Sequence, residues 1–575
     1  MIYAANNPAF CKKRFYYMVA VGLLQSLLSI ALGAIDMVLA GYFFGVSGVS
    51  AITVSAPLSQ IFIFIIMILV NGCRIVYPEE IGRYDKEAAN QYFSTALTIS
   101  ILFSVISLVM MLFVGNKYLD LVHISGDTLK LAREYLKYYK YVCILIPFSN
   151  FVGQMVYCDG DMKLCTTSNI FFLVGNLIFS VIGAIFLGMG GIALATLVSG
   201  LGCLIINSLH FFKKTCVLKY QFYFSFKKQL KLIRYSFIDS TFSLFSGING
   251  FIITTFIIKH FGSDYLAVNS VAGQALGLSG LFSSTSEAMM PILNTYNGEK
   301  NNDGVKKIFK VAFKWTIISG LILTLVVFLM APFFPKIFSL SVPELSGACI
   351  TGVKLVSLTF VFLSIMTVLP MYYNALGHII LSTVIARFKD SILYIILFVV
   401  CGSLFGVNGI WIGTMLCPIV AFVFALVLFK IMFGKKNFLL LENDNRDIKS
   451  WDLKLSTESI INLRDQVSKY LADKSFPERT IYRVALLIEE LYLLVLEKNK
   501  QNQKILAELT VFCDGDTDIE LIFRDDGIIL DLTDADIQIS SLRGYVFTRF
   551  SETIDLKSNA TSVSFNRNRF VCKNI

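Results

Sequence analysis

"LGMGGIALAT" at 187–196 and "FGVNGIWIGT" at 405–414 align without a gap, sharing glycines, an isoleucine and a threonine at a spacing of 218 residues. A second pair lies at nearly the same spacing: "FGVSGVSAITVSAP" from Phe44 and "FGSDYLAVNSVAGQ" from Phe261. Each member of that pair leads through an apolar stretch to a proline (Pro78, Pro291) and a turn of glycine and charge, "IGRYDKEAA" or "NGEKNNDGV". Repetition at a fixed spacing means that one structural unit occurs twice.

Working outward from the repeats, stretches of the roughly 20 apolar residues that a membrane span needs fall at 15–43, 51–73, 92–115, 133–157, 165–187, 190–212, 235–258, 265–290, 311–333, 350–373, 379–404 and 409–431. That is about twelve spans, six to each repeat. Six is even, so the two repeats share one orientation. Parallel repeats around a central cavity are a transporter design; two duplicated bundles serving as a scaffold form the competing reading.

Composition agrees with a polytopic all-α membrane protein. Of 575 residues 55% are hydrophobic and 16% charged, and mean hydropathy is +0.68, where soluble domains carry about a quarter charged residues. The lipid bilayer is therefore the first partner, and no nucleic acid is expected. The N-terminal apolar stretch is too long for the core of a cleaved signal and lacks a small-residue cleavage site, so the first span is expected to be retained. The twelve cysteines include no C-x-x-C pair and no histidine at ligand spacing, so buried thiols are expected rather than a zinc site or a disulfide framework.

Charge divides the chain. Residues 1–436 hold 32 Lys and Arg against 17 Asp and Glu, while 437–575 hold 18 against 23. Two lobes, 1–218 and 219–436, are expected, then a linker at 437–449 and a soluble domain at 450–575. The basic loops "CKKR", "FKKTCVLKYQFYFSFKKQLKLIR", "GEKNNDGVKKIFK" and "KIMFGKK" fall on one side of the twelve spans, and the alternate connections "GVSGVS", "LGMGG" and "FGVNG" carry no charge. Both termini are thereby placed in the cytoplasm, which makes this a multi-pass plasma-membrane protein. The segment "NKYLDLVHISGDTLKLAREYLKYYK" puts basic residues on the other side and opposes that orientation.

Ionisable groups inside spans are costly and mark function by default. Asp36, in "ALGAIDMVLAG", lies about two thirds along the first span. A carboxylate facing a cavity can load a proton on one side and release it on the other; a helix-end carboxylate near the headgroups is the competing reading. Asp239 and Glu287 are expected near the cytoplasmic surface, as substrate contacts or as caps. Arg387 is expected to pair with Asp390 or a carbonyl. Gln154, Asn176 and Asn374 are candidates to ligate a cation or hold a ligand, although such residues commonly bond between helices.

The run "IDMVLAGYFFGVSGVSAITVSAPLSQIFIFIIMILVNGCRIVYPEEIGRYDKEAA", the turn "DGDMKLCTTSN", the span "GGIALAT" and "YYNALGHIILSTVIARFKD" with "GVNGIW" resemble the multidrug and toxic compound extrusion (MATE) family over residues 10–435. The resemblance implies two lobes that expel organic compounds in exchange for H+ or Na+, with a first-helix aspartate, matched by Asp36, as the coupling carboxylate. The family's fifth helix often carries N-x-x-x-D, read here from Asn176 to Ser180, so the second carboxylate is missing. Proton coupling is expected over sodium, because one carboxylate can carry a proton without the several oxygens a sodium ion needs.

Beyond residue 450 the pattern becomes that of a soluble α+β domain. "TESIINLRDQVSKYLAD" and "PERTIYRVALLIEELYLLVLEKN" show helical spacing, while "KILAELTVFC", "DIELIFRDDG" and "TSVSFNRN" alternate as strands. This order resembles the histidine-kinase-type ATPase fold, particularly its anti-sigma-factor branch. The resemblance implies an acidic residue (Glu490) and a magnesium-binding asparagine one turn on, an adenine-binding turn (Asp525, Gly527) and a glycine lid (Gly544). Leu494 stands where the asparagine belongs, and leucine cannot ligate magnesium. The expected product is a secondary-active exporter of organic, cationic or amphiphilic compounds, without a cofactor other than the coupling ion, carrying a regulatory domain that has kept the fold, lost the ATPase and binds a cytoplasmic protein. A non-pumping signalling scaffold and a lipid-carrier flippase are the alternatives.

Overall fold

A computed structural model describes residues 9–573 apart from 83–85, 123, 125, 160, 214–215, 224, 341, 435–437, 442–445, 500–503, 515–517, 528–552 and 557–565. The membrane part is helical, as it must be where backbone groups have no water to bond. Its principal helices are α1 (Ala9–Gly82), α2 (Lys86–Leu121), α3 (Gly126–Cys158), α4 (Met162–Leu187), α5 (Met189–Ser208), α6 (Phe226–Phe261), α7 (Tyr265–Gly277), α8 (Ser283–Gly298), α9 (Asn302–Met330), α10 (Pro343–Ser357), α11 (Phe360–Ala375), α12 (Ile379–Arg387) and α13 (Tyr394–Phe433).

Among the described residues eight helices are long and apolar enough to cross a membrane, or nine with the bent pair α10 and α11 taken as one span. Twelve were expected. The difference has two sources. The eighth expected span is not one helix: α7 ends at Gly277, a 3₁₀ segment covers Leu278–Phe282, and α8 follows. In addition, α1 and α13 each run through a kink glycine, Gly45 (φ 63°, ψ −151°) and Gly406 (φ 64°, ψ −148°), so each helix holds two arms.

Distances across the kinks show that the arms fold back. A Cβ on Gly409 would meet the Cys401 carbonyl oxygen at 1.9 Å, and one on Gly413 the Leu397 oxygen at 2.4 Å, pairs placed about Gly406. Likewise a Cβ on Gly48 would meet the Ala40 oxygen at 2.6 Å, about Gly45. Gly188, between α4 and α5, has the same conformation (φ 64°, ψ −146°), and a Cβ on Gly191 would fall 1.9 Å from the Gly183 oxygen. The glycines repeated in the sequence thus have two physical roles. Gly188 and Gly406 supply the positive φ of the reversal; Gly191 and Gly409 let the returning arm touch backbone.

By internal contacts the chain separates into two compact units, one drawn from the chain up to Ala20, Glu287–Ala312 and Asn437 onward, the other from Val21–Ser286 and Phe313–Lys436. The second unit holds an apolar core that includes Val49, Val54, Ile192, Val271, Val353 and Phe398. In the first, five strands β1 (Asp447–Lys454), β2 (Leu506–Asp514), β3 (Asp518–Asp525), β4 (Thr553–Leu556) and β5 (Asn566–Lys573) form an antiparallel sheet ordered β1-β2-β3-β5-β4. β1 begins inside the stretch expected to be linker.

Helices α14 (Thr457–Asp473) and α15 (Glu478–Lys498) cover one face of the sheet. Their buried residues recur at helical spacing, Ile460, Leu463, Val467 and Leu471 on one and Val484, Leu487, Ile488 and Leu491 on the other, against Trp451, Leu509 and Phe523. Ser456 and Ser459 cap α14 reciprocally. Between the Asp-Asp-Gly turn and β5 only β4 is described, and the beginning of "TSVSFNRN" lies outside the described residues.

Candidate functional site

A polar cluster around Asp36 is assembled from three helices. Asp36 comes from the first arm of α1, Asn176 from α4 and Thr196 from α5. The Thr196 hydroxyl donates to Asp36 Oδ2 at 2.8 Å, and Asn176 Nδ2 donates to Thr196 Oγ1 at 2.8 Å. Asn176 is 2% exposed and Ser180, one turn further along α4, is fully buried. Asp36 Oδ1, Asn176 Oδ1 and Ser180 Oγ have no hydrogen-bond partner among the described residues. Buried oxygens left in this way are expensive. A proton on the carboxyl, which can donate, or a small cation that the oxygens coordinate would satisfy them.

Asp36 and Asn176 were legible in the sequence as an intramembrane carboxylate and an asparagine. Thr196, which joins them, was quoted only as a letter shared by the two repeats. Its counterpart Thr414 makes the same back-bond to the carbonyl one turn earlier (3.0 Å to Ile410, against 3.3 Å from Thr196 to Ile192). At the same 218-residue spacing Tyr394 and Phe398 occupy the places of Asn176 and Ser180, so repetition preserved the threonine and not the polar pair.

The other candidates stand apart from this cluster. Gln154 adjoins Gly153, whose Cβ would meet Asn207 Nδ2 at 3.1 Å. Asn207 lies eleven residues beyond Thr196, roughly 16 Å along α5. Asn374 and Glu287 are exposed, the former in the last turn of α11 and the latter on α8. Asp239 lies on α6, with its side chain outside the described residues.

Next to Arg387, which was expected to pair with Asp390 or a carbonyl, Lys389 forms an ion pair with Asp390. Residues Phe388–Leu393 form a π turn, which displaces the ordinary helical bonds. Asn249 Nδ2 donates to the Asp390 carbonyl (3.0 Å) and Cys417 Sγ to that of Lys389 (3.4 Å).

A second polar cluster escaped sequence reading. His210, 1% exposed, sets Nε2 2.8 Å from Asp159 Oδ2 and Nδ1 3.0 Å from Asp161 Oδ2; Tyr77 OH donates to Asp159 (2.8 Å) and Lys213 to Asp161 (2.6 Å). Lys213 is the foremost cause that holds the Asp161 carboxyl below its ordinary pKa, with His210 and the Leu164 N–H acting in the same direction against partial burial. The donor atoms of Asp159, His210 and Cys216 lie within 4.8 Å of one another, a grouping that could hold a metal ion. The sequence had suggested no such neighbour, because Asp159 and His210 are distant in the chain.

In the soluble part, Leu494 is buried in the core with Leu491 and Val495, and Glu490 is half-buried one turn earlier on α15. Asp525, 1% exposed, accepts the Gly527 N–H at 3.0 Å, and Asp526 Oδ1 accepts the Leu506 N–H at 2.7 Å. The Asp-Asp-Gly turn is tied to its own loop and to β2. Gly544 lies outside the described residues.

Solved structures share the fold of the membrane part. An inward-facing multidrug resistance MATE family transporter of the MOP superfamily superposes with a TM-score of 0.63 at 19% identity, covering 72% of this chain and 96% of its own. A mutant of the Vibrio cholerae MATE transporter VcmN gives 0.60 at 18% identity, covering 75% and 98%. A MOP superfamily transporter from Pyrococcus furiosus, whose binding pocket is described as reversed in polarity, gives 0.59 at 19%, covering 74% and 97%. No curated protein matches the chain. The MatE family model matches twice, at 22–182 and at 240–400, two copies offset by the same 218 residues as the glycine motifs, and on that duplicated match the chain belongs to the MatE family of membrane transporters.

Proposed function

We propose that this protein is a secondary-active exporter of organic cations or amphiphiles, driven by proton exchange at Asp36. The carrying observation is the buried Asp36 carboxylate, held on one oxygen by Thr196 and left unpaired on the other beside Asn176 and Ser180. One proton on Oδ1 turns an orphaned acceptor into a donor for its neighbours. A dehydrated sodium ion would instead need several more oxygens than a single carboxylate supplies. Twelve spans in two six-helix lobes, 1–218 and 219–436, in the plasma membrane with cytoplasmic termini, complete the reading. It is supported by the reversals at Gly45 and Gly406, which divide α1 and the continuous stretch Ile379–Phe433 into two spans each, and by the charge asymmetry of the loops.

Reconstitution of the full chain tests this. An imposed proton gradient is expected to drive uptake or release of a fluorescent organic cation, and Asp36→Asn to abolish it. Transport that requires sodium at fixed pH overturns the coupling ion. No transport under either gradient, with Asp36→Asn silent, would favour the scaffold. Binding of polyprenyl-linked sugars in place of organic cations would favour the flippase.

We further read the C-terminal domain as related in fold to the histidine-kinase-type ATPases and inactive as one, acting on protein and not on nucleotide. Leu494 fills the core where a magnesium ligand would stand, and Asp525 is engaged with its own loop. Thermal unfolding of the full chain is expected to be unchanged by ATP with Mg²⁺. A magnesium-dependent rise that Asp525→Asn removes would refute the reading.

A further inference from the structure

A sheet covered by helices on one face ordinarily turns its other face to water, with polar residues alternating outward. Here the second face is polar and yet buried. Cross-strand register puts Asp452, Glu508 and Arg524 in one row across β1, β2 and β3. Arg524 is 1% exposed and Glu508 4%. Glu508 accepts Arg524 Nη1 at 2.9 Å, and Thr510 Oγ1 lies 3.1 Å from the same nitrogen.

The remaining partners come from the transporter. Glu299 forms an ion pair with Arg524 Nη2, and Tyr296 donates its hydroxyl to both Glu508 oxygens (3.0 and 2.8 Å) while its ring lies 4.9 Å from the Arg524 guanidinium carbon. Arg446 Nη2 donates to the Glu299 carbonyl at 2.9 Å. From the start of α1, the Phe10 N–H meets Asp452 at 3.4 Å and Lys13 pairs with Asp526 at 3.6 Å. All of these residues belong to one compact unit.

We propose that this face is an autoinhibitory docking surface whose partner is the chain's own α1 start and α8–α9 turn. The proposal rests on the exporter reading. The two docked segments belong to different repeats, and alternating access requires the lobes to move against each other. A domain that grips both restrains that movement. Separating it is costly, because Glu299 loses its cation and Arg524 keeps only Glu508.

The full chain in liposomes tests this with two readouts, hydrogen exchange over residues 9–20 and 287–312 and initial export rate. Arg524→Glu and Glu299→Arg are each expected to raise exchange in both segments at least tenfold and to raise the export rate several-fold. The double variant keeps one arginine between two glutamates and is expected to restore protection and the slow rate, which separates loss of docking from misfolding. Unchanged exchange in the single variants overturns the docking. Raised exchange without faster export overturns the inhibition. If wild type and every variant fail to transport, the exporter reading falls and takes the inhibitory role with it, while the exchange data still decide the contact.

Discussion

At the scale of the residue, the question is what one hydroxyl does between a carboxylate and an amide. Thr196 is donor to Asp36 and acceptor from Asn176, so replacing it by valine strands a donor and an acceptor together. A hydrogen bond to a charged group contributes about 1.5–3 kcal/mol. Thr196→Val is therefore expected to lower proton-driven export at least about tenfold and to shift its pH profile, while Thr196→Ser keeps both near wild type. An unshifted profile in the valine variant would remove Thr196 from the coupling site. The sequence offered Asp36 on chemistry alone, since a lone carboxylate in an apolar span stands out. It could not offer Thr196, because threonines are unremarkable in helices and only the crossing of α5 with the first arm of α1 gives this one a partner.

At the scale of the element, close approach decides stability in the membrane part and titration does so in the sheet. A methyl on Gly191 would fall 1.9 Å from the Gly183 oxygen, whereas one on Gly115 of α2 meets nothing within 4 Å. Gly191→Ala is expected to cost about 1–3 kcal/mol or more, read as a clear fall in Tm in detergent, while Gly115→Ala leaves Tm unchanged or slightly raised. In β1 the Asp452 carboxyl is pushed up to about 7, first by burial and then by the Glu508 charge; the Phe10 N–H, Lys307 and Arg524 oppose this, and Cys11 and Tyr492 also feel its charge. An unfolded aspartate titrates near 3.9, so between those values the native state holds a proton that the unfolded chain has lost. Stability from this group is full below about 4 and is lost as pH rises through 7. The full chain is expected to melt higher at pH 5.5 than at pH 8, and Asp452→Asn to flatten that slope.

At the scale of the whole molecule, duplication sets the architecture and charge sets its orientation. The family match at 22–182 and 240–400 and the glycine pairs Gly188 and Gly406 report one repeat. Because the basic loops are expected on the side of the termini, a pH-sensitive fluorescent protein fused after Ile575 is expected to stay blind to external acid in intact cells. A signal quenched from outside would invert the topology.

The sequence by itself determined the membrane class, the duplicated helical unit, the family and the candidate carboxylate. The membrane class and the carboxylate rest on composition, the duplication on local spacing and the family on a resemblance of whole runs, all of which survive in any arrangement of the helices. It also placed α14 and α15, whose apolar residues recur every three to four positions. The sequence placed turns at "GVSGVS" and "FGVNG", and tertiary structure alone showed that each is a single positive-φ glycine, Gly45 or Gly406, inside an otherwise continuous helix, because φ leaves no trace in hydropathy. Tertiary structure alone brought Asp159 to His210, and Arg524 to Glu299 across 225 residues of chain. Ion pairs between distant segments follow from which surfaces meet, and charged residues on an alternating strand read as solvent-facing until a partner covers them.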